Sequence, residues 1–241
     1  RVRSTSEALV DFDAPDGVRH AIWRVSSDDA PALSQAFASV ETLYIADGHH
    51  RAASAARARE AVRDSEEADH FLAVAFPSDQ VRILPYNRVV RDLAGLAPER
   101  FLDEVARRFT TRAGPASPEE KGRVSMYVAG TWHTIDLGSG GLSGAGVIDA
   151  LDCSVLQERL LKPILGVGDI RTDPRVDFVG GVKGTRGLER LVDGGKAAVA
   201  FSMYPVSVVE LMDVSDAGAI MPPKSTWFEP KLRDGLLIHE I

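Results

Sequence analysis

Residues 41–60, ETLYIADGHHRAASAARARE, change periodicity at one point, and that change constrains the chain more than any other feature. The apolar run Leu43-Tyr44-Ile45-Ala46 reads as a strand. It stops at Asp47-Gly48, and from His49 onward the sequence is rich in alanine and other helix formers. The expected local structure is strand, tight turn, helix. Gly48 suits the turn because, without a Cβ, it takes positive φ and lets a ligand approach the backbone closely. His49, His50 and Arg51 then fall in the first helical turn, where N–H groups without intrahelical acceptors and the positive end of the macrodipole face outward. Such a turn takes an anion, above all a phosphate. An aspartate that only caps a helix, followed by solvated histidines, would read the same way, and both readings stand at this level. Zinc is the poorer expectation, since neighbouring helical side chains diverge by about 100° and no His-x-x-x-His partner follows.

A chain of 241 residues, 44% hydrophobic and 26% charged, can bury a real core as one large or two small domains. Its formal charge of −7 argues against a nucleic-acid surface spread over the molecule. No apolar run approaches the length of a membrane span and no signal-peptide pattern opens the chain, so a cytoplasmic location is expected. The single cysteine, Cys153, cannot form an intramolecular disulfide and reads as a packed thiol at the start of an amphipathic helix. The chain opens Arg1-Val2-Arg3, and the expectation is that an upstream part of a longer protein is missing.

Elsewhere strands alternate with helices. Residues 8–12 and 19–25 form a hairpin across Pro15-Asp16-Gly17, and 27–40 an amphipathic helix. Residues 71–76, FLAVAF, read as a strand buried on both faces, and 81–90 as a strand broken by Pro85, which puts Tyr86, Asn87 and Arg88 at a bend. For those three the choice is between loop packing and an anion contact through Arg88. A helix with Phe101, Leu102, Val105 and Phe109 follows, then a hairpin of 124–128 and 131–137. Residues 138–146, GSGGLSGAG, read as a linker. Beyond it come a helix over 149–165 ended by Pro163 and Gly166, a strand at 176–179, the glycine-rich turn 180–184, a short helix, a buried strand at 197–204 and a helix over 206–214. The domain expectation is thus 1–137, a linker at 138–148, and 149–241. Near the end, three prolines stiffen IMPPKSTWFEPKL around Lys224, Ser225, Thr226 and Lys231, a lysine–hydroxyl combination suited to phosphate oxygens.

IADGHHRAASA, LPYNRVV, PILGVGDIRTDPRVDFVGG and MPPKSTWFEPKL together resemble a widespread prokaryotic family of unknown function across nearly the whole chain. The D-G-H-H-R turn is in addition similar to the signature of the ParB/sulfiredoxin superfamily, which includes free-serine kinases and in which this turn binds nucleotide phosphates. Sulfiredoxin has Gly-Cys-His-Arg there and ParB has Gly-Glu-Arg-Arg. His49 stands where sulfiredoxin carries its reactive cysteine, so sulfinic-acid repair is not implied, and a histidine in place of ParB's glutamate weakens its nucleotide switch. The resemblance implies an α/β fold with a ParB/sulfiredoxin-like core, a mixed sheet and further α/β elaboration. It also implies a nucleotide-dependent small-molecule kinase acting on a hydroxyl acceptor such as free serine. Gly48, His49, Arg51, Lys224, Ser225 and Thr226 would bind phosphate or nucleotide, and Asp47 and His50 would be catalytic. Mg²⁺ and ATP or ADP are the expected cofactors, with no dedicated metal cluster in the protein. A nucleotide-sensing protein without turnover, and a phosphoester hydrolase using His50, are the alternatives.

Overall fold

The computed structural model describes residues 2–138 and 146–241, which divide into two compact units, Arg1–Phe76 with Pro230–Ile241, and Pro77–Glu229. Residues 139–145, most of the expected linker, lie outside the described residues. The units do not follow the expected boundary. Strands from both sides of that stretch share one sheet.

The first unit begins with a one-turn helix, α1 (Val2–Thr5). The expected hairpin follows: β1 (Val10–Asp13) pairs antiparallel with β2 (Arg19–Ile22). Gly17 takes φ 81°, the Val18 N–H donates to Asp16 Oδ1 at 3.1 Å, and Arg19 forks onto the Asp11 carboxylate at 2.7 and 2.6 Å. α2 (Ala30–Ala38) and α3 (His49–Ala61) are the expected helices.

Two expectations fail in this unit. Neither 43–46 nor 71–76 is a strand: both runs are irregular, with Leu43 68% and Phe71 58% exposed. A strand is completed by a paired strand beside it, and among the described residues neither run belongs to a sheet. Among the described apolar residues of this unit only Ala14 and Ala68 are buried.

The core lies in the second unit. Pro85, which cannot donate to a ladder, separates β3 (Arg82–Leu84) from β4 (Tyr86–Val90), and the two join different sheets. β3 pairs with β10 (Trp227–Glu229). β4 enters a six-stranded sheet with β5 (Thr110–Ala113), β6 (Arg123–Val128), β7 (Thr131–Asp136), β8 (Val176–Gly180) and β9 (Val199–Met203), in the order β5-β7-β6-β9-β4-β8. The fold is mixed α/β as expected, with every ladder among the described residues antiparallel where a mixed sheet was anticipated.

One face of this sheet is covered by α4 (Pro98–Ala106) and by the helical run α5 (Asp152–Leu156), a π-helical turn (Gln157–Leu161) and α6 (Lys162–Leu165). Phe101, Leu156, Leu160 and Leu165 meet Val90, Met126 and Phe201 there without exposure to water. Each large side chain so buried contributes about 2–3 kcal/mol. Pro163 does not end the helix: the π turn just before it widens the ladder and accommodates the donor that proline lacks. Gly166, at φ 65°, ends it, with the Val167 N–H returning to Leu161 O. α7 (Gly184–Asp193) covers the other face through Leu188, packed on Val89, Val179 and Ala200. Two bonds pin its polar side: Tyr127 Oη donates to Asp193 at 3.0 Å and Trp132 Nε1 to Glu189 at 2.8 Å. α8 (Val208–Asp216) starts from a capping box of Ser207 and Glu210.

Candidate functional site

The 47–51 turn takes the expected backbone form without a preceding strand. Gly48 is left-handed at φ 100°, ψ 22°, and serves as N-cap of α3, and among the described residues no side chain caps the helix. The first intrahelical bond runs from the Ala52 N–H to Gly48 O at 2.9 Å, so the N–H groups of the first turn carry no intrahelical acceptor. The arginine folds back over this opening: a Cβ built on Gly48 would lie 3.3 Å from both Arg51 Nε and Nη2. Glycine therefore does two jobs here, taking a backbone angle that side chains resist and leaving room for the guanidinium. His49, His50 and Arg51 are all exposed.

Asp47 does not cap the helix. Its Oδ2 accepts from Lys231 Nζ at 2.9 Å, a pairing between residues far apart in sequence. Partial burial pushes the Asp47 carboxyl up, but the Lys231 ammonium, the Gly48 N–H and Arg51 outweigh it and hold its pKa below the ordinary carboxylate value. Arg51 Nη1 also stands 3.7 Å from Asp234. The structure thus brings Asp47, Gly48, His49, His50 and Arg51 together and adds Lys231 and Asp234. Sequence reasoning placed Lys231 in a stiff loop with no partner. Nothing in the local pattern around Asp234 marked it.

Further along α3, Ala55 and Ala58 line a cavity of about 280 Å³ with His70, Phe71, Leu72 and His239. His239 Nε2 lies 2.9 Å from Glu67 O, which fixes the ring locally.

The second unit holds the remaining expected site residues. Lys224 occupies the left-handed region at φ 54°, costly for a residue with a Cβ, and its ammonium lies 5.6 Å from the centre of the Tyr86 ring. Ser225 is buried, and its hydroxyl donates to Pro222 O at 2.7 Å, so that proton closes the loop. Thr226 is half-buried. Beside them Trp227 presses on Gly180, where an added Cβ would come within 2.5 Å of the indole, and it meets Tyr86 edge-on at 5.4 Å.

Arg88 sits on the central strand β4 and is buried. One guanidinium nitrogen donates to Tyr86 O, and the group lies 5.8 Å from the Phe178 ring. Burial lowers its pKa, and the neighbouring Cys153 thiol opposes that shift. The charges of the segment 166–175 serve the fold instead. Arg175 donates to Leu165 O and Gly166 O at the end of α6 and pairs with Asp173, while Arg171 forks onto Asp169, whose pKa falls to about 2. Among the described residues no cluster of three metal-ligating side chains occurs, and no helix is long and apolar enough to cross a membrane.

The chain belongs to the family described as "Protein of unknown function (DUF1015)", which matches residues 1–154. No curated protein matches it. Among solved structures it is similar to a free serine kinase in complex with AMP, at 12% identity and a TM-score of 0.42, covering 85% of this chain and 81% of that one. A mutant free serine kinase in complex with ADP gives 16% identity and 0.40 over the same shares. A conserved hypothetical protein from Pyrococcus furiosus gives 14% and 0.41, covering 76% of this chain and 68% of the other. At such values the likenesses say nothing about the site of this chain.

Proposed function

We propose that this protein is a nucleotide-dependent small-molecule kinase that transfers a phosphoryl group to a hydroxyl acceptor, with free serine the first acceptor to test. The observation that carries the reading is the turn itself: a left-handed glycine opening a 13-residue helix with no side-chain cap, and a guanidinium folded over it. Backbone N–H groups and Arg51 together offer a terminal phosphate several charge-assisted donors, which is most of what phosphoryl transfer asks of a protein. The sequence resemblance of the same five residues to the ParB/sulfiredoxin phosphate turn supports it.

In the proposed reaction the acceptor oxygen attacks the terminal phosphorus, forming one P–O bond while the bond to the nucleotide's bridging oxygen breaks. The hydroxyl proton passes to His50, one of the two residues expected to be catalytic. His49 and Arg51 neutralise charge on the phosphate oxygens as it shifts to the leaving group. Asp47 is held ionised by Lys231, which suits a carboxylate that stays charged throughout better than one that takes up a proton. One carboxylate together with nucleotide phosphates is a usual Mg²⁺ environment, so Asp47 fits the expected ion, which when bound would neutralise phosphate charge. In the second unit Lys224 and Thr226 offer further donors suited to phosphate.

A phosphorus NMR time course with ATP or ADP, Mg²⁺ and serine tests the reading. A new phosphomonoester signal that is lost in His50→Ala is expected. Nucleotide binding without turnover would move the protein to the sensor reading, release of inorganic phosphate alone would move it to the hydrolase, and absence of binding would refute the assignment of the turn.

A further inference from the structure

On β4, Tyr86 and Arg88 are two residues apart and so share one face of the sheet. Across the ladder to β8 they stand opposite Gly180 and Phe178. The Tyr86 and Phe178 rings meet edge-on at 6.0 Å, Trp227 closes on Tyr86 from the side of Gly180, and Lys224 hangs over the Tyr86 ring. This small aromatic cluster thus has a cation at each flank.

Arg88 is the unusual member. It is 3% exposed, its Nε has no hydrogen-bond partner, and no carboxylate pairs with it among the described residues. Its surroundings are a carbonyl oxygen, a phenyl ring and a thiol. A buried charge without a counter-charge costs several kcal/mol, and an apolar side chain of similar size would pack there without that cost. Lys224 carries a second cost, its left-handed backbone, and its ammonium likewise makes no ion pair among the described residues. Two cations without ion pairs at adjoining rings of one aromatic cluster, each held at a cost to stability, are the pattern of a site whose anion comes from a ligand.

We infer that Arg88, against the Phe178 ring, and Lys224, over the adjoining Tyr86 ring, form an oxyanion-binding site within the second unit, taking a carboxylate or a phosphate group. This deepens the kinase reading where Lys224 is concerned and adds Arg88 to it, but it does not depend on the 47–51 turn. The two sources of the oxyanion are the phosphate of a nucleotide and the carboxylate of an amino-acid acceptor. Inorganic phosphate and acetate stand for them in the test.

Melting curves of the full chain, in a Trp23→Phe background so that Trp132 and Trp227 report on the second unit, are recorded with sodium phosphate or sodium acetate against sodium chloride at equal ionic strength. At least one of the two oxyanions is expected to raise the transition saturably above chloride. A response to phosphate alone assigns the site to phosphate, and a response to acetate alone assigns it to the acceptor's carboxylate. Lys224→Ala is expected to weaken the apparent affinity by about tenfold, the loss of one charge-assisted contact. Arg88→Met is expected to abolish the response while melting, without oxyanion, no lower than its parent. Three results would each overturn the inference: no response beyond chloride, an unchanged response in Lys224→Ala, or an Arg88→Met protein that melts lower than its parent yet keeps the response. Arg51→Ala is expected to leave the response intact. If nucleotide fails to bind while this response persists, the turn has been misread and the Arg88 site stands.

Discussion

Replacing Asp152 by asparagine should remove a pH dependence that the fold imposes on itself. Asp152 begins α5, and its carboxylate accepts the Gly122 N–H at 3.0 and 3.1 Å, tying the helix to the start of β6. Burial pushes its pKa from the ordinary 3.8 to about 6. The Gly122 N–H and the Lys121 ammonium oppose that rise, and the Glu210 carboxylate adds to it. Between those two values the folded protein keeps a proton that the unfolded chain has released. The contribution is therefore fully present below about 3.8, falls as pH rises through about 6, and is flat beyond. At about 1.4 kcal/mol per tenfold change in proton affinity, the loss amounts to about 2–3 kcal/mol. Asparagine keeps an acceptor for the Gly122 N–H but carries no titrating charge, so Asp152→Asn should not show this loss. Near pH 8 the variant should be the more stable protein, by up to about 2 kcal/mol once a weaker neutral hydrogen bond is allowed for. Urea unfolding in the Trp23→Phe background, at intervals from pH 4 to pH 8, measures the difference directly, and carboxylates common to both proteins cancel. A difference between parent and variant that is constant over this range, or that moves in the parent's favour as pH rises, would refute the reasoning.

Arg51→Ala should weaken nucleotide binding by about 1.5–3 kcal/mol, the worth of a charged contact, measurable by calorimetric titration; unchanged affinity removes Arg51 from the site. Gly48→Ala should cost about 1–2 kcal/mol in stability of the first unit, because alanine must adopt φ 100° and its methyl meets the Arg51 guanidinium, and the same variant should bind nucleotide more weakly. Gly180→Ala should lower the melting transition of the second unit by the equivalent of about 1–3 kcal/mol, since the new methyl would overlap the Trp227 ring; an unchanged transition would mean that the indole moves aside freely. Lys231→Ala should raise the Asp47 pKa, read by carbon NMR titration of its carboxylate, because the strongest group opposing burial is removed.

Local chemistry was enough for much of this protein. The hairpin at Pro15-Asp16-Gly17, the start of α3 after Gly48, the break at Pro85, the β6–β7 hairpin and the buried β9 were all legible, because each depends on φ preferences, a missing donor or a short-range apolar period. The backbone of the 47–51 turn was legible for the same reason: Gly48 takes its left-handed angle and opens the helix. What only the tertiary structure decided depends on neighbours distant in sequence. The runs at 43–46 and 71–76 have the composition of strands and, among the described residues, no strand beside them, so most of their apolar residues stay exposed. Lys231 became the partner of Asp47, and Arg88 a buried cation, through contacts that no spacing in the sequence encodes. Composition indicates what a segment can pair with, whereas the pairing itself, and the dielectric around each charge, are set by the fold as a whole.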